Sequence, residues 1–185
     1  MAESDTTELD QQLQALIGSH MSQPTTAANS VNMPMINQWT DSFSDRNPVY
    51  EDAEFAATTR HKGLVAPPTM MPVWTMARPK LEGLSERNGM TTEIDHDSPL
   101  LVLEDAGYIG SLATNSEFEF VRELRLGDQL HSEAILDSVS PRKKTSLGFG
   151  YFLTWVTTFT DQNNEVVGRQ RFSLLKFDPS TMGAA

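Results

Sequence analysis

The sequence contains no cysteine, which excludes disulfide bonds, thiol catalysis and cysteine-ligated metal sites. Basic residues are also scarce: 14 Lys and Arg face 25 Asp and Glu, for a net charge of −11. A nucleic-acid backbone selects clustered Lys and Arg, so we do not expect nucleic acid as a partner. No apolar run approaches the roughly 18 residues of a membrane span, and the acidic N-terminus is unlike a secretory signal. We therefore expect a cytoplasmic protein that does not cross a membrane.

The remaining composition, 185 residues with 38% hydrophobic side chains, suits one folded domain. Residues 1–30 are rich in Ser, Thr, Gln and Ala and contain no Lys or Arg, so we expect a flexible acidic tail. Within this tail, leucines share one face of a short predicted helix from about Thr7 to Ile17. A helix of that length is marginal unless it docks on something. We expect the ordered domain to cover residues 31–180.

Hydrophobic spacing predicts three helices followed by a loop. The helices cover about residues 32–43, 52–60 and 63–76, and the exposed loop covers residues 78–99. Asn32 is the expected N-terminal cap of the first helix. The third stretch is apolar on every side, which is typical of a helix buried in a core. Pro72 must lie in the first turn of that helix or kink it, which favours a start nearer Met70 than Pro68.

The C-terminal part changes to the two-residue period of β-strands. The predicted strands cover about residues 117–126, 129–138, 147–159 and 166–177. In the third of these, Gly148 and Gly150 lie opposite the apolar face, which suggests a close approach of another backbone segment. Helices followed by long antiparallel strands predict an α+β fold. The expected architecture is a single hotdog fold, in which an antiparallel sheet wraps around a long apolar helix.

Basic residues concentrate near the C-terminus of this acidic chain. Residues 141–177 contain two acidic and six basic side chains, namely Arg142, Lys143, Lys144, Arg169, Arg171 and Lys176. Such an island suits a small polyanion, for example the phosphates of a coenzyme A thioester. It is equally compatible with an ordinary solvated strand face.

Residues 45–50, Asp-Arg-Asn-Pro-Val-Tyr, resemble a motif of the MaoC-like hydratases and dehydratases. That family carries Asp-X-Asn-Pro-aliphatic-His followed by a small residue, here Ala56, and its members are hotdog enzymes acting on enoyl-CoA or hydroxyacyl-CoA thioesters. The resemblance runs from about residue 31 to 177. Residues 65–76 and 105–115 further resemble the MaoC-like domain of the larger subunit of heteromeric steroid side-chain enoyl-CoA hydratases.

Two departures from the family pattern concern its chemistry. The family's Asp and His activate water, but this chain has Tyr50 in place of the His, and a phenol with a pKa near roughly 10 is a poor base at neutral pH. In active members a backbone N–H at the start of the central helix stabilises the thioester enolate. Here that stretch contains Pro67 and Pro68, which have no N–H. We therefore expect no catalytic residue in this chain, only a degenerate motif of Asp45, Asn47 and Tyr50.

The resemblance then implies a pocket-forming subunit of a heteromeric enoyl-CoA hydratase. A paralogous small hotdog subunit would supply the intact Asp and His, in an α2β2 assembly, and the acyl group would be bulky, such as a steroid side chain. An OB-like domain and a thiolase-like aldolase are further implied partners. No cofactor and no metal are expected, since the coenzyme A thioester is the substrate.

We expect this chain to contribute residues to the substrate pocket. The candidate substrate-binding residues are Pro67, Pro68, Met70, Met71, Trp74, Tyr108, Arg142, Lys143, Lys144 and Arg171. The methionines and Trp74 fit a wide apolar pocket or a plain core equally. The basic residues are candidates for phosphate contacts.

Two alternatives remain open at this point. The first is a self-sufficient homodimeric hydratase that uses Asp45 and Tyr50. The second is a non-enzymatic scaffold that binds acyl-CoA and docks a downstream aldolase or thiolase-like protein. The four histidines show no metal-ligand spacing, so we expect His20, His61, His96 and His131 to be surface or loop residues.

Overall fold

The computed structural model describes residues 3–76, 81–86 and 98–183. Its main element is one antiparallel sheet. The strands are β1 Thr25–Thr26, β2 Gly110–Phe120, β3 His131–Val139, β4 Lys143–Thr145, β5 Gly148–Thr160 and β6 Val166–Phe177. They are ordered β1-β3-β5-β6-β2, and β4 pairs with the start of β5. The central strand β5 therefore has neighbours on both sides, while β2 forms one edge of the sheet.

Three of the predicted strands agree with β3, β5 and β6 to within two residues at each end. The first predicted strand is displaced, since β2 begins at Gly110 and ends at Phe120, whereas residues 117–126 were expected. Because β2 is an exposed edge strand, its first half lacks the alternating apolar residues on which the prediction depended. Gly150 confirms the expected close approach, because a Cβ there would collide with the backbone oxygen of Lys176.

The helices are short. They are α1 Glu3–Ala15, α2 Met33–Phe43, α3 Ala53–Thr58, α4 Met71–Trp74 and α5 Pro99–Asp105. Of these, α2 and α3 are capped by side chains. The predicted cap of α2 is confirmed: Oδ1 of Asn32 accepts a hydrogen bond of 3.1 Å from the N–H of Met35. Asp52 caps α3 in the same way. Most of the predicted loop 78–99 lies outside the described residues, but its last residue, Pro99, begins α5.

The long central helix expected over residues 63–76 is not formed there. A single 3₁₀ turn, Pro68–Met70, leads into α4, which ends after Trp74. Prolines explain the late start: Pro67 and Pro68 hold the approach extended, and Pro72 lies in the first turn of α4, where a missing N–H is tolerated. The hotdog description therefore needs correction in this respect, since the sheet packs on a short apolar helix.

Two apolar clusters cover the two ends of one sheet face. Tyr151, Leu153 and Phe159 occupy alternate positions of β5 and so point to the same side. Phe159 packs with α2, α4 and the turn before α4, whereas Tyr151 and Leu153 pack with α1 and α5. All helices with described core contacts thus lie on one side of the sheet. This arrangement places the α2–α3 connection over the end of β2.

The segment expected to be a flexible tail is instead packed from α1 onward. Leu13 is fully buried, at 0% exposure, and Leu9 is almost so, both against Tyr151 and Leu103. The hydroxyl of Tyr151 donates a hydrogen bond of 2.7 Å to Asp10. The short predicted helix therefore exists, and the sheet of its own chain provides the docking surface that such a helix requires.

The residues after α1 run along the outer side of β3. Gly18 and Met21 donate backbone hydrogen bonds of 2.9 and 2.8 Å to Leu136 and Ala134, and β1 continues the pairing. This strap, residues 18–27, covers the β3 edge of the sheet. The β2 edge has no equivalent cover among the described residues.

An arginine between two aspartates fixes the chain where it leaves β2. Arg122 donates hydrogen bonds of 2.6 Å to Asp128 and 2.9 Å to Asp161. Burial of Asp161 works against its charge, but the bond from Arg122 and the N–H groups of Glu165 and Asn163 outweigh this and lower its pKa. We call this group the Arg122 clamp.

The docked α1 predicts a stability effect that a free tail would not show. Leu13→Ala removes a fully buried side chain, so we expect a loss of about 2–4 kcal/mol in the free energy of unfolding, measured by urea denaturation. The exposed neighbour change Gln11→Ala is the control and should stay within about 0.5 kcal/mol. Equal effects of the two changes would contradict the docking of α1.

The Arg122 clamp predicts a specific acid sensitivity. Because its pKa is lowered on folding, Asp161 stabilises the fold above its unfolded pKa of about 4, and this contribution is lost as the pH falls through the folded value. Asp161→Asn should lower stability at pH 7 by about 3 kcal/mol and flatten the acid limb of the stability curve. The exposed pair Arg171–Asp137 provides the control, Asp137→Asn, for which we expect little change.

Candidate functional site

A cavity of about 400 Å³ lies between the α2–α3 connection, the segment before α4 and the end of β2. Its apolar lining is Val49, Val65, Ala66, Pro68, Phe120 and Val121. Its polar lining is Asn47, Tyr50, Arg60, His61, Arg122 and Glu123. The volume is in the range of small-ligand sites, and an apolar wall with a few polar groups is their usual composition.

The degenerate motif forms one wall of this cavity. Oδ1 of Asp45 accepts a hydrogen bond of 3.0 Å from the N–H of Asn47, and Oδ1 of Asn47 accepts one of 3.3 Å from the N–H of Val49. Both side chains therefore stabilise the turn. The structure places Asn47 and Tyr50 at the cavity, whereas Asp45 lies behind them.

Tyr50 is poorly suited to accept a proton. Burial raises the pKa of its phenol, and the negative charge of Asp45 raises it further, against a smaller lowering by Asn47. A phenol whose pKa is above its ordinary value is almost entirely protonated at neutral pH. Tyr50 can therefore donate a hydrogen bond to a ligand, but it does not replace the family's imidazole as a base.

The backbone before α4 offers no N–H where the family places its oxyanion donor. The N–H of Ala66 is used in a hydrogen bond of 2.8 Å to the carbonyl of Leu124. Pro67 and Pro68 have none, and Pro68 itself lines the cavity. Ala66, Pro67 and Pro68 therefore provide no free N–H to stabilise a thioester enolate, an interaction that is typically worth several kcal/mol.

His61, Arg60 and Glu123 were not among the predicted site residues, yet all three line the cavity. The side chain of His61 is only 14% exposed, and its Nδ1 lies 3.1 Å from Oε1 of Glu123. The hydrogen bond that the carboxylate of Glu123 accepts from the backbone N–H of Glu123 lowers the pKa of this group despite burial, with smaller contributions from His61 and Arg60. No sequence signal joins these residues, because they meet only when β2 folds against the α3–α4 connection.

The predicted pocket residues Met70, Met71 and Trp74 lie in the core. All three are almost fully buried against α2 and the sheet, and the sulfur of Met71 packs on Gly168. Tyr108 is buried in the other apolar cluster, with its ring centroid 5.1 Å from that of Tyr151. Of the predicted apolar pocket residues, only Pro68 lines this cavity.

The basic island is partly neutralised by acidic partners. Arg171 forms an ion pair of 2.8 Å with Asp137, and Arg169 one of 2.8 Å with Glu119. Lys176 is buried and donates a hydrogen bond of 2.7 Å to Glu104. These three side chains are therefore engaged within the fold.

Arg142, Lys143 and Lys144 form a separate group at the far end of the sheet. Arg142 lies over the ring of Phe149 at 4.1 Å, and Lys144 pairs with the same residue in the strand register. The cavity adjoins the opposite end of β5, because Phe120 and Phe159 both pair with Gly168. At about 3.3 Å per strand residue, the two groups are about 30 Å apart. The structure does not bring them together.

Within the described parts of the chain, no cluster of three or more His, Asp or Glu side chains is arranged to bind a metal ion. None of the helices described there has the length and apolar character needed to cross a membrane.

Comparison with known proteins agrees with this geometry. Residues 15–170 match the FAS1-like, dehydratase domain region. The chain is 38% identical over 180 residues to a probable enoyl-CoA hydratase alpha subunit of Thermomonospora curvata, covering 93% of this chain and 53% of that protein. It is 39% identical over 160 residues to the 3-oxo-4,17-pregnadiene-20-carboxyl-CoA hydratase alpha subunit of Mycobacterium tuberculosis, covering 86% and 49%. The chain thus spans about half the length of these curated relatives.

Solved structures support the fold. A chain in the crystal structure of the ChsH1-ChsH2 complex from Mycobacterium tuberculosis superposes with a TM-score of 0.77 at 36% identity, covering 96% of this chain and 94% of that one. A MaoC-like dehydratase from Rhodospirillum rubrum, at 21% identity and a TM-score of 0.58 with coverages of 88% and 92%, shares the fold. The predicted hotdog fold and the resemblance are confirmed, and the chain belongs to the FAS1-like dehydratase domain family of MaoC-like hotdog proteins.

Proposed function

We propose that this chain is the non-catalytic, pocket-forming subunit of a heteromeric enoyl-CoA hydratase. A second hotdog subunit supplies the catalytic Asp and His. The single observation that carries the proposal is the loss of both chemical groups: a protonated phenol in the cavity wall takes the place of the family's base, and two prolines before α4, of which Pro68 lines the cavity, take the place of its oxyanion donor. The relatives called alpha subunits of hydratases, and the ChsH1-ChsH2 complex, support a heteromeric assembly.

The edges of the sheet support a one-sided association. The strap of residues 18–27 covers the β3 edge, whereas β2 is an edge strand whose outer backbone groups have no strand partner among the described residues. Exposed apolar side chains accompany that edge: Leu112 on β2, Ile109 just before it, and Phe120 at its end. An open edge strand with exposed apolar side chains at its ends is where another sheet pairs readily. We assign the partner subunit to this edge.

The acyl group that we propose is a bulky one, such as a steroid side chain. A second apolar recess of about 220 Å³ lies between α2 and α4, with Met35, Trp39 and Phe43 on its outer wall. Methionines adapt to irregular ligand shapes. The substrate named in the relative from Mycobacterium tuberculosis supports the same class.

The proposal predicts that activity requires two different subunits. The purified chain should not hydrate an enoyl-CoA measurably, whereas the chain co-expressed with a hotdog protein that has an intact Asp-X-Asn-Pro-aliphatic-His motif should. Hydration is followed by the loss of enoyl absorbance. Turnover by the isolated chain would contradict the proposal and favour the homodimeric alternative.

Substitutions at Tyr50 and Asp45 sharpen this test. Tyr50→Phe and Asp45→Asn in the complex should change kcat by less than about tenfold, since neither group transfers a proton in this proposal. Tyr50→His in the isolated chain should still give no turnover, because Pro67 and Pro68 leave the enolate without an N–H donor. A loss of several orders of magnitude in Asp45→Asn would contradict the proposal.

The group Arg142, Lys143 and Lys144 is proposed to contact coenzyme A phosphates in the partner's site, since it lies too far from this chain's cavity. In the active complex, Lys143→Ala with Lys144→Ala should raise KM for the CoA thioester about tenfold. The matched pantetheine thioester lacks the nucleotide phosphates, so its KM should not change. Arg169→Ala is the control, because Arg169 is already paired with Glu119. Equal changes in KM for both thioesters would exclude a phosphate contact.

A further inference from the structure

The cavity of this chain has a polar anchor that does not derive from the degenerate motif. His61 is largely buried, at 14% exposure, and its Nδ1 lies 3.1 Å from Oε1 of Glu123 without meeting the angle of a hydrogen bond. Its backbone is fixed on both sides: its N–H bonds to the hydroxyl of Thr59, and its carbonyl accepts a hydrogen bond from Arg125. The imidazole is thus held at the cavity wall, where Nδ1 has no hydrogen-bond partner and Nε2 has one weak contact, from Arg60.

The surroundings define which ring nitrogen can accept a hydrogen bond. Nε of Arg60 donates to Nε2 of His61 at 3.5 Å, so Nε2 carries the lone pair. Nδ1 faces the carboxylate of Glu123 and therefore carries the hydrogen. A carboxylate beside one ring nitrogen fixes the tautomer in this way in many sites. Glu123 is accordingly a positioning residue for His61.

The contact from Arg60 is readily displaced. A distance of 3.5 Å is at the limit of a hydrogen bond, and the Arg60 side chain is 84% exposed. Its other ionic contact, to Glu123, is longer still at 3.9 Å. A ligand group with an O–H donor can therefore replace Arg60 at Nε2 at little cost. Arg122 does not compete for the ligand, because Asp128 and Asp161 occupy its guanidinium.

We propose that this cavity is a second thioester site, which binds a β-hydroxyacyl thioester in preference to the matching enoyl thioester. The β-hydroxyl donates to Nε2 of His61, and the acyl chain lies against Val49, Val65 and Phe120. The proposal rests on the proposed function, because hydration of an enoyl thioester generates this hydroxyl. An enoyl chain has no donor at that carbon, so it would displace Arg60 and leave Nε2 unpaired. The non-catalytic subunit then retains product rather than substrate.

The test compares three thioesters of equal length on the full chain. β-Hydroxyoctanoyl-CoA, octenoyl-CoA and octanoyl-CoA are titrated by isothermal calorimetry. We expect the hydroxyacyl thioester to bind about fivefold to tenfold more tightly than the other two, the effect of one neutral hydrogen bond. In His61→Phe, which keeps the ring volume, the three affinities should become equal.

Two further variants separate the role of the ring from that of its neighbours. His20→Phe is the matched control, since His20 also contacts a glutamate, Glu133 at 2.6 Å, but does not line the cavity. It should keep the preference. Glu123→Gln should weaken it, because an amide donor at Nδ1 permits the other tautomer and turns Nε2 into a donor. Imidazole ¹⁵N shifts of His61 report that tautomer directly, and circular dichroism checks that each variant is folded.

Equal affinities in the unaltered chain would overturn the proposal, as would a preference that persists in His61→Phe or an absence of thioester binding. These results are independent of the proposed function. If the complex hydrates enoyl-CoA but the chain shows no preference, only the second site is excluded. If the preference is present but the complex is inactive, the hydratase proposal fails instead.

Discussion

The cavity depends on the ion pairs of Arg122 with Asp128 and Asp161. β2 is an edge strand, and where the chain turns after Phe120 the N–H groups of Val121 and Arg122 both donate to the carbonyl of Val167, while the clamp fixes the turn through side chains. The clamp ties that exit to the β5–β6 turn through Asp161 and to the next turn through Asp128, whose carboxylate also accepts the N–H of Arg125. Glu123 is thereby held against His61, and the carbonyl of Leu124 against Ala66. A partly buried charge is thus used to shape a ligand-sized space.

The same clamp explains why the cavity is not a general anion site. Three arginines lie around it, but Arg122 is neutralised twice, and Arg125 is engaged with the carbonyl of His61. Of these three arginines, only the exposed Arg60 remains available to bind an anion, and it lies beside the carboxylate of Glu123. Such an environment favours an apolar ligand with a neutral polar group over a phosphate. Lys143 and Lys144, which form no ion pair within the described residues, lie on β4 at the far end of the sheet.

Much of the fold was predictable because its signals are local. The alternation in β5 and β6 and the cap Asn32 depend on neighbouring residues, and the structure follows them. The first half of β2 was not predictable, because an exposed edge strand does not need alternating apolar residues. The packing of α1 was not predicted either. Its leucines indicated an amphipathic helix, but composition alone does not reveal that this helix packs against Tyr151 and Leu103. Tertiary contact decides such cases, not propensity.

The site shows the same division. The loss of the base and of the oxyanion donor is visible in single residues, Tyr50 and the two prolines. The sequence was therefore sufficient to predict that the family's catalytic groups are missing from this chain. The lining of the cavity depends on residues that are distant in sequence, above all the contact of His61 with Glu123. Nothing in the sequence around a histidine in a turn indicates which residue will lie beside it. A wall that has lost its catalytic groups but keeps a ligand-sized space is under no chemical demand to preserve a buried imidazole. Within the fold, Nδ1 of this imidazole has no hydrogen-bond partner and Nε2 has only the 3.5 Å contact from Arg60, so a ligand hydroxyl at Nε2 would give His61 a stronger hydrogen bond than its own chain provides.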